Sequence, residues 1–229
     1  MHVVDRPSKY SREHLLKLFK YSLGEDIANA VTHIVGSFFA VYAIINLSWV
    51  AGRYGNWLDS VAFIFYGLTI LFMFTMSSLY HSMINHTART VFKTLDHIAI
   101  YWLILGSYTP YVFSLIKTWD AYIIYGFLFA LSILGGVFKS FLAGRFKIIS
   151  TLVYVIMGWA IVWILPDLIN KLNIVGLWYL IAGGLCYTLG AMLYAFGKFK
   201  YSHMVWHVFV FFGVLFQFIS INFYILQYR

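Results

Sequence analysis

Residues 58–80 read LDSVAFIFYGLTILFMFTMSSLY, and this stretch decides the fold. It carries one acid, Asp59, and no base. As a helix rising 1.5 Å per residue it is long enough to cross the ~30 Å hydrocarbon core of a bilayer. Six further stretches of the same character accompany it. The seven fall at 27–50, 58–80, 95–116, 120–142, 148–169, 174–196 and 203–226, with short connections between them. Composition agrees. Of 229 residues, 62% are hydrophobic and only 10% charged, where a soluble domain has roughly 25% charged. Such a chain cannot cover itself with polar side chains, so its solvent is lipid. The predicted fold is an all-α membrane protein, a seven-transmembrane helix bundle over residues 25–229.

Lysine and arginine give an orientation. Twelve lie in the N-terminal tail and in the connections after the second, fourth and sixth spans; four lie on the other side, Arg53, Lys117, Lys171 and Arg229. Basic residues mark the cytoplasmic side. The N-terminus is therefore expected in the cytoplasm and the C-terminus outside. Residues 1–24 read as a cytoplasmic tail. Leu15, Leu18 and Phe19 share one helical face there, with Leu23 a turn on, which suggests a short amphipathic helix in the headgroup layer. No secretory signal peptide is visible in this tail. The single cysteine, Cys186, allows no intrachain disulfide. The net charge of +8 is scattered and forms no patch, so a nucleic-acid partner is not expected.

Chemistry-bearing residues gather at one end of this bundle. Ser77-Ser78-Leu79-Tyr80-His81 closes the second span and Leu95-Asp96-His97 opens the third. His203-Met204-Val205-Trp206-His207 opens the seventh. With the threading above all three pieces fall on the cytoplasmic side. His203 and His207, four residues apart, share a helix face. Ionisable residues within a membrane are costly unless they are paired, metal-bound or facing water. Three imidazoles with a fourth position open to water is the arrangement of a catalytic zinc site. Copper is the weaker candidate, because no thiolate or thioether ligand is evident there. A proton relay or a cavity lining remains open on the same residues. The residues between the two histidines lack the glutamate of a zinc-protease helix; if the site hydrolyses anything, Asp96 is the available base. Glu25, Asn29 and His33 form a polar stripe down the first span, lining either the same cavity or a helix interface. His97 points away from Asp96 on a helix, and His86, His14 and His2 fall in loop or tail. No phosphate-binding glycine loop, dinucleotide fingerprint or serine-hydrolase elbow is present.

These pieces resemble the hemolysin III family, the bacterial branch of the progestin and adipoQ receptor superfamily. The resemblance covers nearly the whole chain. It rests on the three pieces above, on Glu25 to His33, Gly106-Ser107-Tyr108-Thr109-Pro110-Tyr111, Gly158-Trp159 and Gly183 to Gly190. It implies a seven-helix bundle with Zn2+ near the cytoplasmic face, held by His81, His203 and His207. It places Asp96 beside a zinc-bound water and Ser77 a turn before His81 in support. The superfamily also resembles membrane hydrolases of ceramide-type amides. One position departs from the pattern: Gln217 stands where relatives often carry a further histidine. The function this implies is a zinc-dependent hydrolase of lipid amides or esters in a bacterial cytoplasmic membrane, with membrane lipid as partner and lipid homeostasis as the role. Two other readings stand beside it: a non-enzymatic regulator of membrane fluidity or energetics with structural zinc, and a pore-forming haemolysin.

Overall fold

The computed structural model describes residues 21–142 and 146–227. The amphipathic helix expected in the tail lies almost wholly outside them. Seven helices are long and apolar enough to cross a membrane: α1 (Leu23–Tyr54), α2 (Trp57–Ser82), α3 (His86–Ile116), α4 (Trp119–Leu142), α5 (Lys147–Lys171), α6 (Ile174–Phe196) and α7 (Ser202–Tyr224). No strand occurs among the described residues.

Polar side chains start several of these helices. Ser22 and Glu25 form a capping box on α1, and Asn56 and Asp59 form one on α2. Asn85 accepts from the Ala88 N–H on α3, and Asn173 from the Val175 N–H on α6. Each satisfies backbone donors that a helix start leaves without an internal partner. The caps correct two boundaries. α3 begins at His86, nine residues before the expected start, because its first turns are amphipathic and not apolar; His86 is thus the first residue of a helix and not part of a loop. α1 likewise begins at Leu23.

The two prolines inside spans change the winding and do not end the span. Pro110 closes the regular part of α3, and the chain widens into a π-turn over Tyr111–Ile116. In α5 the stretch Ala160–Ile164 tightens to a 3₁₀ helix before Pro166, which sits in the first turn of the restarted helix. Proline lacks the N–H that a regular turn would use, and such local rewinding satisfies the freed carbonyls.

Packing follows chain order: α1 lies on α2, α2 on α3, α3 on α4 and α6 on α7, and α7 returns to α1. The core is aromatic and aliphatic, with Phe63, Tyr66, Ile70, Phe74 and Leu105 fully buried. Large apolar side chains also cover the outside, among them Phe38, Trp163 and Phe141. In water that surface would be untenable; in lipid it is the expected solvent face. Gly36 sets one approach that matters below. A Cβ there would run into the Phe74 ring, so only glycine lets α1 seat on the α2 ring that supports His33.

Candidate metal centre

Two helices bring three imidazoles to one point. His81 lies in the last turn of α2, His203 in the first turn of α7 and His207 one turn deeper. One nitrogen from each lies within 4.8 Å of the others. A tetrahedral ion about 2.0–2.1 Å from each nitrogen would draw them closer still. His81 and His207 are buried, and the Nε2 atom of each has no hydrogen-bond partner among the described residues. A buried polar atom is normally satisfied. Two such nitrogens, directed with His203 at one point, fit a single bound cation.

The opposite edges of the rings are tied down. His81 Nδ1 lies 2.9 Å from Asp26 Oδ1, and His207 Nδ1 lies 3.2 Å from the Asn29 carbonyl oxygen. An oxygen acceptor at Nδ1 fixes the proton there and leaves the Nε2 lone pair for a metal. Asp26 is itself gripped by Arg89, whose Nη2 donates to both carboxylate oxygens at 2.8 Å while Nη1 donates to the Met83 carbonyl. Asn29 Nδ2 sits 3.4 Å from His81 Nδ1, and Thr32 Oγ1 sits 3.4 Å from His207 Nδ1. α1 therefore holds ligands from both α2 and α7 in register.

His203 is oriented differently. Its ring stacks on Tyr21 at 4.9 Å between centroids, with Tyr194 and Trp206 around it. Burial pushes the Tyr21 phenol well above its ordinary pKa, so its O–H stays protonated. The turn into α7 passes through Tyr201, whose backbone is left-handed (φ 63°). Glu25 Oε1 accepts from the Tyr201 N–H at 3.0 Å and holds that turn.

The stripe expected on α1 is thereby divided. Glu25 is half-buried and used in the cap of its own helix and in the turn before α7. Asn29 and His33 are buried. The inward-facing carboxylate is Asp26, one residue on from Glu25. His33 stacks on His207 with ring centroids 3.6 Å apart and takes the Phe74 ring edge-on. Asp96 is buried on α3, outside the three-nitrogen cluster, and lines two adjoining cavities. Ser77 is fully buried one turn before His81, and its hydroxyl has no hydrogen-bond partner among the described residues. Gln217 is buried deeper in the bundle, on the wall of the larger cavity.

That larger cavity has a volume of about 380 Å³ and runs between α3, α5, α6 and α7. Its walls are mostly apolar, including Ile104, Leu165, Leu180 and Val210, with Asp96 and His33 among the few polar groups. A chain-like apolar ligand suits such a shape, with the polar groups fixing one end.

Comparison with known proteins now bears on these residues. A sequence model described as Haemolysin-III related matches residues 21–218, which include every residue of the cluster and its supports. The chain belongs to this haemolysin III family. It is 36% identical to Hemolysin-3 of Bacillus cereus over 202 residues, 88% of this chain and 92% of that protein. It is 33% identical to a Hemolysin-3 homolog of Bacillus subtilis (strain 168), over 89% of this chain and 96% of the other. The human Monocyte to macrophage differentiation factor is a more distant relative, 26% identical over 84% of this chain and 81% of its own length. This haemolysin III protein is thus a multi-pass membrane protein with a set of histidines that could hold a metal ion.

Asp26 and Arg89 escaped the sequence reading, and they yield a test. Asp26→Ala removes the Nδ1 anchor of His81 and leaves Arg89 buried without its carboxylate. Loss of such a supporting hydrogen bond lowers metal affinity by about 10–100-fold. Breaking a buried pair costs about 3–5 kcal/mol. Metal titration by competition with a chromogenic chelator, run beside thermal unfolding, should show both losses. Unchanged affinity would remove Asp26 from the site.

Proposed function

We propose that this haemolysin III protein binds one Zn2+ through His81, His203 and His207 and hydrolyses an amide or ester bond in a membrane lipid. The observation that carries the reading is the convergence of three imidazole nitrogens, with His203 and the buried Asp96 on the wall of one small cavity and Asp96 also on the wall of an apolar cavity of about 380 Å³. A bound zinc ion supplies Lewis acidity, which activates water and polarises a carbonyl. The protein's own groups do the rest. The apolar walls hold the acyl chain and bring its carbonyl to the polar end. Asp96 takes the proton from the attacking water and returns it to the leaving group. The Ser77 hydroxyl, buried without a partner among the described residues, is left to hydrogen-bond the ligand or the oxyanion. Asp26 and Asn29 keep the Nδ1 protons of His81 and His207 in place, so both Nε2 atoms stay available. Fatty-acid release from a panel of bilayer amides and esters by the purified protein tests the reading. Release at the background rate across the whole panel would favour the regulator of membrane fluidity with structural zinc.

The reading includes a topology. With twelve basic residues on one side and four on the other, the metal end faces the cytoplasm of a bacterial plasma membrane. A periplasm-active reporter fused after Arg229 should be active, and the same reporter inserted in the turn at 83–85 should be silent. The reverse pattern would move the site to the outer face.

The name of the Bacillus cereus relative favours a second reading, lysis of other cells. Against it stands the apolar surface, which keeps this protein in the membrane of the cell that makes it. Purified protein added to erythrocytes is expected to release no more haemoglobin than a detergent-matched control. Lysis with a size cutoff set by osmotic protectants would reverse the ranking.

A further inference from the structure

The smaller cavity, about 150 Å³, lies against the histidine cluster and differs from the apolar one in character. Lys93 of α3, Lys139 of α4 and Lys147 of α5 all line it, with Ser150, Tyr80 and His203. Asp96 is the carboxylate on its wall. Among the described residues none of these lysines is ion-paired with a carboxylate. Lys147 rests over the Tyr194 ring at 4.5 Å. Lys139 is 2% exposed, and its hydrogen bond goes to Ser150 Oγ. The Ser150 hydroxyl donates in turn to the Phe146 carbonyl at 3.0 Å, so it offers Lys139 a lone pair.

Setting membrane orientation does not require this arrangement. An orienting lysine needs only to reach the headgroup layer, and its long stem lets it snorkel there. Lys139 turns inward instead. A fully buried lysine is rare unless paired, and an ammonium has three protons to donate, of which Ser150 accepts one. Three ammonium groups face one carboxylate, which leaves two positive charges to be balanced. A phosphate monoester carries about −1.5 to −2 at neutral pH. The two cavities share Asp96, Ile100, Tyr154, Tyr194 and Trp206, so the cationic chamber adjoins the apolar one.

We propose that Lys93, Lys139 and Lys147 form a binding site for a phosphate group, carried by a lipid headgroup or by free phosphate. The site adjoins the metal centre and requires neither zinc nor hydrolysis. Calorimetric titration of the purified protein in detergent tests it with three probes: dihexanoyl phosphatidic acid, inorganic phosphate and uncharged dihexanoylglycerol. Phosphatidic acid should bind to the wild type and lose at least tenfold in affinity in Lys139→Met and several-fold in Lys147→Gln. Binding of dihexanoylglycerol should not change between variants. Zinc content, measured in the same samples, should be unaltered, which separates failure of this site from failure of the metal site. Phosphatidic acid binding more than tenfold tighter than phosphate identifies a lipid headgroup, and equal lysine-dependent affinities identify free phosphate. Equal affinity for phosphatidic acid in the wild type and both variants, or no binding of either phosphate probe, overturns the proposal. If Lys139→Met does not fold, Lys147→Gln and Lys93→Gln, both at partly exposed positions, carry the test.

Discussion

Replacing His203 and His207 together by alanine is expected to abolish metal binding. The two residues supply two of the three nitrogens from one face of α7. A single remaining imidazole on α2 cannot hold zinc at useful affinity, because the affinity of such sites comes from several ligands placed together. Elemental analysis of the purified variant should fall to the level of a chelator-treated control, and lipid hydrolysis should fall with it. The fold should survive, for the span itself is apolar and stays in the bilayer. His207→Ala will also loosen His33, whose ring stacks on it at 3.6 Å. A moderate loss of thermal stability is expected beside the loss of metal. Full metal content in the double variant would mean that the convergence of these rings has another purpose.

Asp96→Asn is expected to give the opposite separation: metal kept, hydrolysis lost. Asp96 lies outside the three-nitrogen cluster, on the wall between the two cavities. Asparagine keeps the shape and most of the hydrogen bonding but cannot take a proton. The loss should be about 10²–10⁴-fold in turnover, the usual worth of a positioned acid–base group, with zinc content unchanged. If metal and turnover disappear together, Asp96 is a ligand and the site is closed and structural. If turnover is unchanged, the base lies elsewhere.

Much of this arrangement was legible in the sequence. Hydrophobic length located seven spans, and the structure has helices at all seven. The placement of His81, His203 and His207 at span ends on one side anticipated their meeting, since side-to-side alternation is a counting argument. What escaped the reading has physical causes. Asp26 was hidden beside Glu25, because the register of α1 depends on its cap. Once Ser22 and Glu25 close the capping box, Glu25 is used at the helix start and Asp26 turns inward. In the sequence Arg89 reads only as an orienting charge. Its real place depended on α3 starting at His86, and an amphipathic start carries no signal in a hydrophobicity profile. Lys139 and Lys147 were hidden in the same way. A lysine near a span end reads as an interface anchor until the fold places it on the wall of a cavity.

X-ray absorption at the zinc edge of the purified protein tests the central claim most directly. The account predicts one zinc per chain, with three imidazole nitrogens about 2.0–2.1 Å from the metal and one further light-atom ligand. A chain purified without metal under zinc-replete conditions, or a zinc shell with fewer than three imidazoles, would contradict it.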